Sequence, residues 1–164
     1  MPRRGRTAPA RRLKVPGFED IRRRHQEILD AVAELEAAVR RERAPSLSAG
    51  CGETLAVALD HFLDFGERML EPHLRDEEQY VYPLLDRYLP RETGSAAAML
   101  REHDTARGLL AMLRQNRRRI GGEAEADVAV IVQDLALVLR DHIRKEDGVI
   151  YPLLERLLRE DVRN

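Results

Sequence analysis

The feature that most constrains this chain is a stretch of seventeen residues that occurs twice, at 73–89 and at 142–158. The two copies read HLRDEEQYVYPLLDRYL and HIRKEDGVIYPLLERLL and are identical at nine positions. Each copy opens with His-x-x-x-Glu, a spacing that places both side chains on one face of a helix, one turn apart. An imidazole and a carboxylate held in this way can grip a metal ion. The repeat therefore predicts two such pairs on two helices.

The composition of the whole chain favours helices. The chain has 164 residues, enough for one domain with a single core, and is 43% hydrophobic, 35% charged and 4% aromatic. Leu, Ala, Arg and Glu prevail, which is typical of amphipathic helices rather than of a sheet. No apolar run approaches the roughly 18–20 residues of a membrane span, and we recognise no secretory signal. With Cys51 as its single cysteine, the protein is expected to be cytoplasmic.

The first sixteen residues differ in composition from the rest. Six of the 28 Lys and Arg residues lie there, together with three prolines and none of the 29 Asp and Glu residues. Such a segment is typical of a disordered arm. We therefore predict a basic arm over residues 1–17 and one folded domain over residues 18–160. No aromatic residue is interleaved with the basic ones, so no nucleic-acid partner is expected.

Apolar residues recur at intervals of three and four along four segments, which predicts four amphipathic helices. The first is expected to run from Phe18 to Arg43, and the others to begin near Glu53, near Thr93 or Ser95, and near Glu123. Connections of about five to ten residues fit antiparallel neighbours. The fold class predicted is all-α, an up-down-up-down four-helix bundle.

Prolines punctuate the second and fourth helices. Pro72 is predicted to kink the second helix, with a full break as the alternative, because proline removes a backbone hydrogen bond. Pro83 is expected to end or bend the same helix. Gly148 and Pro152 are expected to mark the end of the fourth helix. Each repeat then finishes in a short helical coda, LLDRYL or LLERLL.

Each apolar stripe carries one histidine at a position that the pattern makes buried. At about 1.5 Å per residue, each histidine lies roughly 24–30 Å from the turn that joins its helix to the next, so all four come level. The glutamates of the repeated pairs continue the same stripes. The candidate ligands in this layer are His25, His73, Glu77, His103, His142 and Glu146. His61 lies twelve residues before His73, about 18 Å along the helix, and is expected at the surface or between helices.

A metal explains this layer better than ordinary core packing does. A lone buried histidine is usually a core residue with one hydrogen bond, but two buried glutamates at one level would each cost several kcal/mol and repel each other. A dication between them removes both problems. Arginine pairing is the other explanation, but Arg75 and Arg144 point about 200° away from the histidines two residues before them.

The donor set indicates which metal to expect. Four imidazoles and two carboxylates are too many for one zinc, and too rich in nitrogen for calcium or magnesium. Shared between two ions, they give each ion two histidine nitrogens and one oxygen from each glutamate. A bridging oxo or hydroxo group would add a fifth donor and leave a position open for O₂, NO or peroxide. Iron suits such mixed ligands, with manganese as the nearest competitor.

The pattern of His25, His73-x-x-x-Glu77, His103 and His142-x-x-x-Glu146 resembles the hemerythrin-like, or HHE cation-binding, domain family. The Tyr-Pro-Leu-Leu after each pair strengthens the resemblance, which covers about residues 18–158. It implies a four-helix bundle with a non-haem di-iron centre bridged by the two glutamates. The oxygen-carrying members place a fifth histidine four residues after His103, where this chain has Arg107.

The resemblance implies a protein that binds or senses O₂, NO or peroxide, or that takes part in an iron or redox stress response. The alternative is a di-iron oxidoreductase with peroxidase-like or oxidase-like activity at the same centre, for which Tyr82 or Tyr151 could donate a proton. A purely structural metal bundle is a third possibility.

Overall fold

The computed structural model describes residues 17–43, 54–89, 94–120 and 124–161, together with residue 163. Within these ranges the chain forms four helical rods and no strand. Their helices are α1 (Phe18–Arg43), α2 (Leu55–Phe65), α3 (Glu71–Asp76), α4 (Tyr82–Tyr88), α5 (Ser95–Arg117), α6 (Ala124–Lys145) and α7 (Tyr151–Asp161). The second rod comprises α2 to α4, and the fourth comprises α6 and α7. Residues 1–16 of the predicted arm and Cys51 lie outside the described ranges.

The rods begin close to where the sequence places them. The first rod has the predicted bounds of Phe18 and Arg43. In the second, Thr54 caps α2 because its side-chain oxygen accepts a hydrogen bond from the backbone N–H of Val57. The third rod begins at Ser95 after Gly94, whose φ of 63° is a left-handed conformation that glycine adopts without strain.

Three π-helical turns join the helices of the second and fourth rods. They span Gly66–Leu70, Glu77–Val81 and Glu146–Ile150, and each ends two residues before a proline. In every case the backbone N–H of the residue before the proline bonds to the carbonyl five residues back. The helix therefore continues past the proline, although proline has no N–H to donate. Helical structure therefore continues through Pro72, Pro83 and Pro152. The alternative of a full break at Pro72, an end at Pro83 and the expected end of the fourth helix at Gly148 and Pro152 are therefore wrong.

The four rods pack as a ring of antiparallel neighbours. Helix α1 packs on α2 and α6, and α5 packs on α2 and α6. The short helices α4 and α7 pack on each other. The predicted all-α, up-down-up-down four-helix bundle is thus confirmed. Among the described helices, none is long and apolar enough to cross a membrane.

The buried apolar side chains form two clusters, one on each side of the polar layer. The larger one fills the long part of the bundle and includes Ile28, Leu74 and Ile143. The smaller one lies among the codas and the first turns of α1 and α5, and includes Ile21 and Tyr151. Along each rod, the candidate ligands stand between members of the two clusters. The layer is therefore sealed from solvent by apolar packing above and below.

Two leucines on α6 offer a matched test of this core. Leu135 is 1% exposed and Leu137 is 69% exposed, although only one residue separates them. Replacing Leu135 with alanine should lower the free energy of unfolding by about 2–5 kcal/mol, because it removes buried methyl groups and leaves a cavity. Leu137→Ala should change it by less than about 0.5 kcal/mol. Urea unfolding followed by circular dichroism measures both, and equal effects would contradict the packing described.

Candidate metal centre

All six candidate ligands predicted from the sequence converge in one layer. The four histidines come from α1, α3, α5 and α6, one from each rod, and the two glutamates begin the second and third π turns. None of the six is more than 2% exposed. Each histidine directs Nε2 toward a glutamate at the centre of the layer, with distances of 3.1–3.4 Å to the nearest carboxylate oxygen.

The first group of donors contains His25, His73, Glu77 and Glu146. Oε1 of Glu77 lies 3.1 Å from Nε2 of His73 and 3.3 Å from Nε2 of His25. Oε2 of Glu146 lies 3.2 Å from Nε2 of His25. One donor atom from each residue falls within 4.8 Å of all the others, which is compatible with one ion bound at about 2.0–2.2 Å.

The second group shares Glu77 with the first. Its members are Glu77, His103 and His142. The other oxygen of Glu77, Oε2, lies 3.3 Å from Nε2 of His103 and 3.9 Å from Nε2 of His142. Oε2 of Glu146 also reaches this side, at 3.4 Å from Nε2 of His142. Each glutamate thus stands between the two pairs of histidines.

The tyrosines of the two repeats cross over to hold the glutamates. Tyr82, from the first repeat, donates a hydrogen bond of 2.9 Å to Oε1 of Glu146 in the second. Tyr151, from the second repeat, donates one of 2.6 Å to Oε1 of Glu77 in the first. The hydroxyl of Tyr82 also lies 2.8 Å from Nε2 of His103. Neither repeat therefore completes its half of the site alone.

Three histidines have a carboxylate at their outer nitrogen. Nδ1–H of His25 donates to Asp147, that of His103 to Glu78, and that of His142 to Glu102, over 2.8–3.0 Å. Such a bond fixes the tautomer and turns Nε2 toward the centre. Sequence reasoning missed these acids. Two of them left a signal, since an acid follows each repeated glutamate directly. Glu102 left none, because it lies outside both copies of the repeat.

The surroundings of the layer shift the pKa values of His25 and His73 in opposite directions. Burial lowers the pKa of His25, but hydrogen bonds and charge from Glu146 and Glu77 outweigh burial and raise it to about 10. Burial lowers the pKa of His73 to about 4, so its ring is a neutral donor at pH 7. Burial, followed by the charge of Glu77, raises the pKa of Glu146. A cation entering this layer competes with the proton on His25.

Several atoms at the centre lack the hydrogen bonds that buried polar groups normally make. Among the described residues, Nε2 of His73 and the Oε2 atoms of Glu77 and Glu146 have no hydrogen-bond partner. Each such atom typically costs about 1–3 kcal/mol, a large share of the 5–15 kcal/mol that stabilises a whole domain. Carboxylate oxygens and neutral imidazole nitrogens are ligands for transition metals. These atoms therefore fit a metal ion.

The remaining residues singled out in the sequence lie outside the layer. His61 is exposed and lines a cavity of about 120 Å³ between α1 and α2, in agreement with the prediction. Arg75 and Arg144 point outward and pair with Glu71 and Asp141 on their own helices. Arg107 stands where the oxygen carriers have a fifth histidine. It turns away from the centre to bond to Glu71 and Glu78.

Two tyrosines test how much the glutamates depend on their phenols. Tyr151 donates to buried Glu77, whereas Tyr88 makes a similar bond of 2.7 Å to Asp161 at the surface. Without added metal, Tyr151→Phe should lower the free energy of unfolding by about 1–3 kcal/mol, because a buried carboxylate loses its donor. Tyr88→Phe should cause little change, because water replaces the bond. Chemical denaturation measures both. Equal losses would show that the phenol of Tyr151 does not stabilise the layer.

Comparison with known protein families agrees with this geometry. The family model described as the hemerythrin HHE cation binding domain matches residues 17–154. This match covers the first three rods, the fourth rod as far as residue 154, and every candidate ligand of the polar layer. Comparisons with curated proteins and with solved structures gave no match. From the family match, together with a His/Glu cluster fit for a metal, we conclude that this chain belongs to the hemerythrin HHE cation-binding domain family.

Proposed function

We propose that this protein holds two iron ions in the polar layer and uses them to bind or sense O₂, NO or peroxide, or to take part in an iron or redox stress response. The proposed ligands are His25, His73, Glu77, His103, His142 and Glu146. The observation that carries this proposal is the pair of donor groups that share Glu77.

The position of Glu77 supports two ions rather than one. Its Oε1 faces His25 and His73, and its Oε2 faces His103. A carboxylate whose two oxygens face different sets of donors is arranged to bridge. Glu146 lies between His25 and His142 and is proposed as the second bridge. Each ion then receives two imidazole nitrogens and a share of both carboxylates.

The type of donor supports iron. Mixed imidazole and carboxylate ligands suit iron, and manganese is the nearest alternative. The described residues place no thiolate near the layer that would favour zinc. The chain's single cysteine, Cys51, suits the reducing cytoplasm, which we propose as its compartment.

The burial of the layer supports a small ligand. No candidate ligand is more than 2% exposed, and apolar clusters lie on both sides. A substrate of ordinary metabolite size has no room beside side chains packed in this way. Molecules of two to four atoms pass through such packing by small side-chain motions on short timescales. We therefore propose a diatomic molecule or a peroxide.

The two phenols define what the protein itself contributes. When bound, a pair of iron ions supplies redox chemistry and open coordination. Burial, followed by the charges of the glutamates, raises the pKa values of Tyr82 and Tyr151, so both hydroxyls stay protonated and act as donors. They orient Glu146 and Glu77, and the apolar clusters exclude bulk water.

A second candidate function is an oxidoreductase at the same centre, and the position of Tyr82 favours it. The hydroxyl lies 2.9 Å from Glu146 and 2.8 Å from His103. It is therefore a buried proton donor within reach of atoms on the second side of the layer. The hydroxyl of Tyr151 bonds to Glu77, and its ring stacks on His25 with 5.6 Å between the ring centroids, so the two phenols are not equivalent in this role.

Iron content tests the ligand assignment. Anaerobic reconstitution with ferrous iron should load about two ions per chain, because two groups of donors are present. His73→Ala should load fewer, since it removes a ligand that no neighbour replaces. His61→Ala is the matched control on the same rod and should still load two, because its ring lies outside the layer. Elemental analysis after gel filtration measures all three. Less than about one iron per chain, or an unchanged content in His73→Ala, would overturn the proposal.

The response to gases distinguishes the candidate functions. Adding O₂ or NO to the iron-loaded protein should change its optical and Mössbauer spectra, because an open position on iron accepts these ligands. Unchanged spectra would indicate a purely structural metal bundle. Sustained consumption of H₂O₂ would favour the oxidoreductase, and there Tyr82→Phe should lower turnover more than Tyr151→Phe does.

A further inference from the structure

An ion pair that joins two rods beside the site has opposite polarity in the two halves of the bundle, α1 to α4 and α5 to α7. Arg24 directly precedes His25 on α1, and it bonds to Asp76 on α3 over 2.5 Å. At the equivalent places in the second half, Glu102 precedes His103 on α5 and pairs with Lys145 on α6, also over 2.5 Å. The acid and the base have thus exchanged helices while the pair itself is kept.

The charge of the residue at positions 24 and 102 decides which histidine has a hydrogen-bond acceptor at Nδ1. Glu102 reaches Nδ1 of His142 at 3.0 Å, so the acid of this pair supports a candidate ligand on the neighbouring rod. The place equivalent to Glu102 holds Arg24, a guanidinium that has no acceptor to offer. Among the described residues, Nδ1 of His73 accordingly has no partner.

The two proposed metal positions therefore differ in how many of their histidines have a carboxylate at Nδ1. His103 and His142, on the second side, both have a carboxylate at Nδ1, and each carboxylate is itself paired with a cation. On the first side, His25 has Asp147, but His73 has none. An acceptor at Nδ1 makes the imidazole a stronger donor and holds its ring in place, and its loss typically costs about 10–100-fold in metal affinity.

Given the proposed function, we infer that the inverted ion pair makes the two positions unequal, so that the ion held by His25 and His73 binds more weakly and is lost first. Glu102 and Arg24 are then positioning residues. Glu102 strengthens one position through His142, and Arg24 withholds the same support from His73. The positive charge of Arg24 further disfavours a cation on its side.

Exchanging the charges of each pair tests this inference. The first variant, Arg24→Glu with Asp76→Lys, gives His73 the arrangement that His142 has now. The second, Glu102→Arg with Lys145→Asp, takes that arrangement away from His142. Both keep an ion pair between the rods and leave the net charge unchanged. Anaerobic titration with Fe²⁺ against a competing chelator measures the two binding steps in each variant and in the unmodified protein.

The unmodified protein should show two binding steps at least about tenfold apart. The Arg24/Asp76 exchange should strengthen the weaker step and bring the two together. The Glu102/Lys145 exchange should weaken the tighter step by about 10–100-fold. Two steps of equal affinity in the unmodified protein, or a separation that neither exchange alters, would overturn the inference while leaving the two-ion proposal intact. Failure to bind two ions would remove both.

Two further variants separate these effects from general damage to the bundle. Exchanging Asp60 and Arg117, which pair across α2 and α5 far from the layer, should alter neither step. Glu102→Gln leaves the shape of the side chain and should weaken the tighter step even if the double exchange fails to fold. A normal tighter step in folded Glu102→Gln would count against the role of Glu102.

Discussion

The bundle depends on two carboxylates that are fully buried. Glu77 and Glu146 are fully enclosed, and everything around them offsets that cost. Each carboxylate accepts a hydrogen bond from the tyrosine hydroxyl of the opposite repeat, and four imidazoles face the two carboxylates from four rods. Because every rod supplies part of this shell, the rods cannot shift along one another without breaking it. The requirement that is costly for stability is therefore also what fixes the register of the bundle.

The duplicated sequence becomes an approximate two-fold relation in space. Tyr82 donates a hydrogen bond to Glu146 as Tyr151 does to Glu77. Likewise, Glu78 accepts a hydrogen bond from His103 as Asp147 does from His25. Contacts of this kind run between the two halves of the bundle rather than within one half. A change in one copy is therefore felt at the ligands of the other. The ion pairs of Arg24 and Glu102 depart from this relation, and they do so where they meet a candidate ligand.

The sequence predicted the long elements and the convergence of the six polar residues, because both follow from periodicity. A stripe with a period of three to four residues defines which side chains face inward, and the rise per residue defines their height. The bounds of α1 and the depth of His25 and His103 follow directly. The acids at Nδ1 could not be found in this way. Whether Glu102 reaches His142 depends on how two helices are rotated about their axes relative to each other. The apolar pattern of one helix does not contain that information.

What happens at the prolines was predicted only in part, for a different reason. Proline removes a hydrogen bond from a regular α-helix, and a kink or a break is the usual consequence. Here the residue before each proline bonds one position further back, as Tyr82 does to Glu77, so no break is needed. Local propensity alone does not distinguish this solution from a break, because it requires tertiary packing to hold the wider turn.

That wider turn also sets the direction of the phenols. In a regular α-helix Tyr82 would stand about 140° around the axis from Glu77, since each residue turns by about 100°. A π turn takes more residues for each revolution than an α-helix does, so it brings Tyr82 closer to the face of Glu77. The same phase correction separates Glu146 from Tyr151. The extra residue thus acts as a spacer in angle rather than in length. If either turn closed into a regular α-helix with no residue removed, its phenol and its coda would swing by about 100° away from the layer, although no ligand would have been changed.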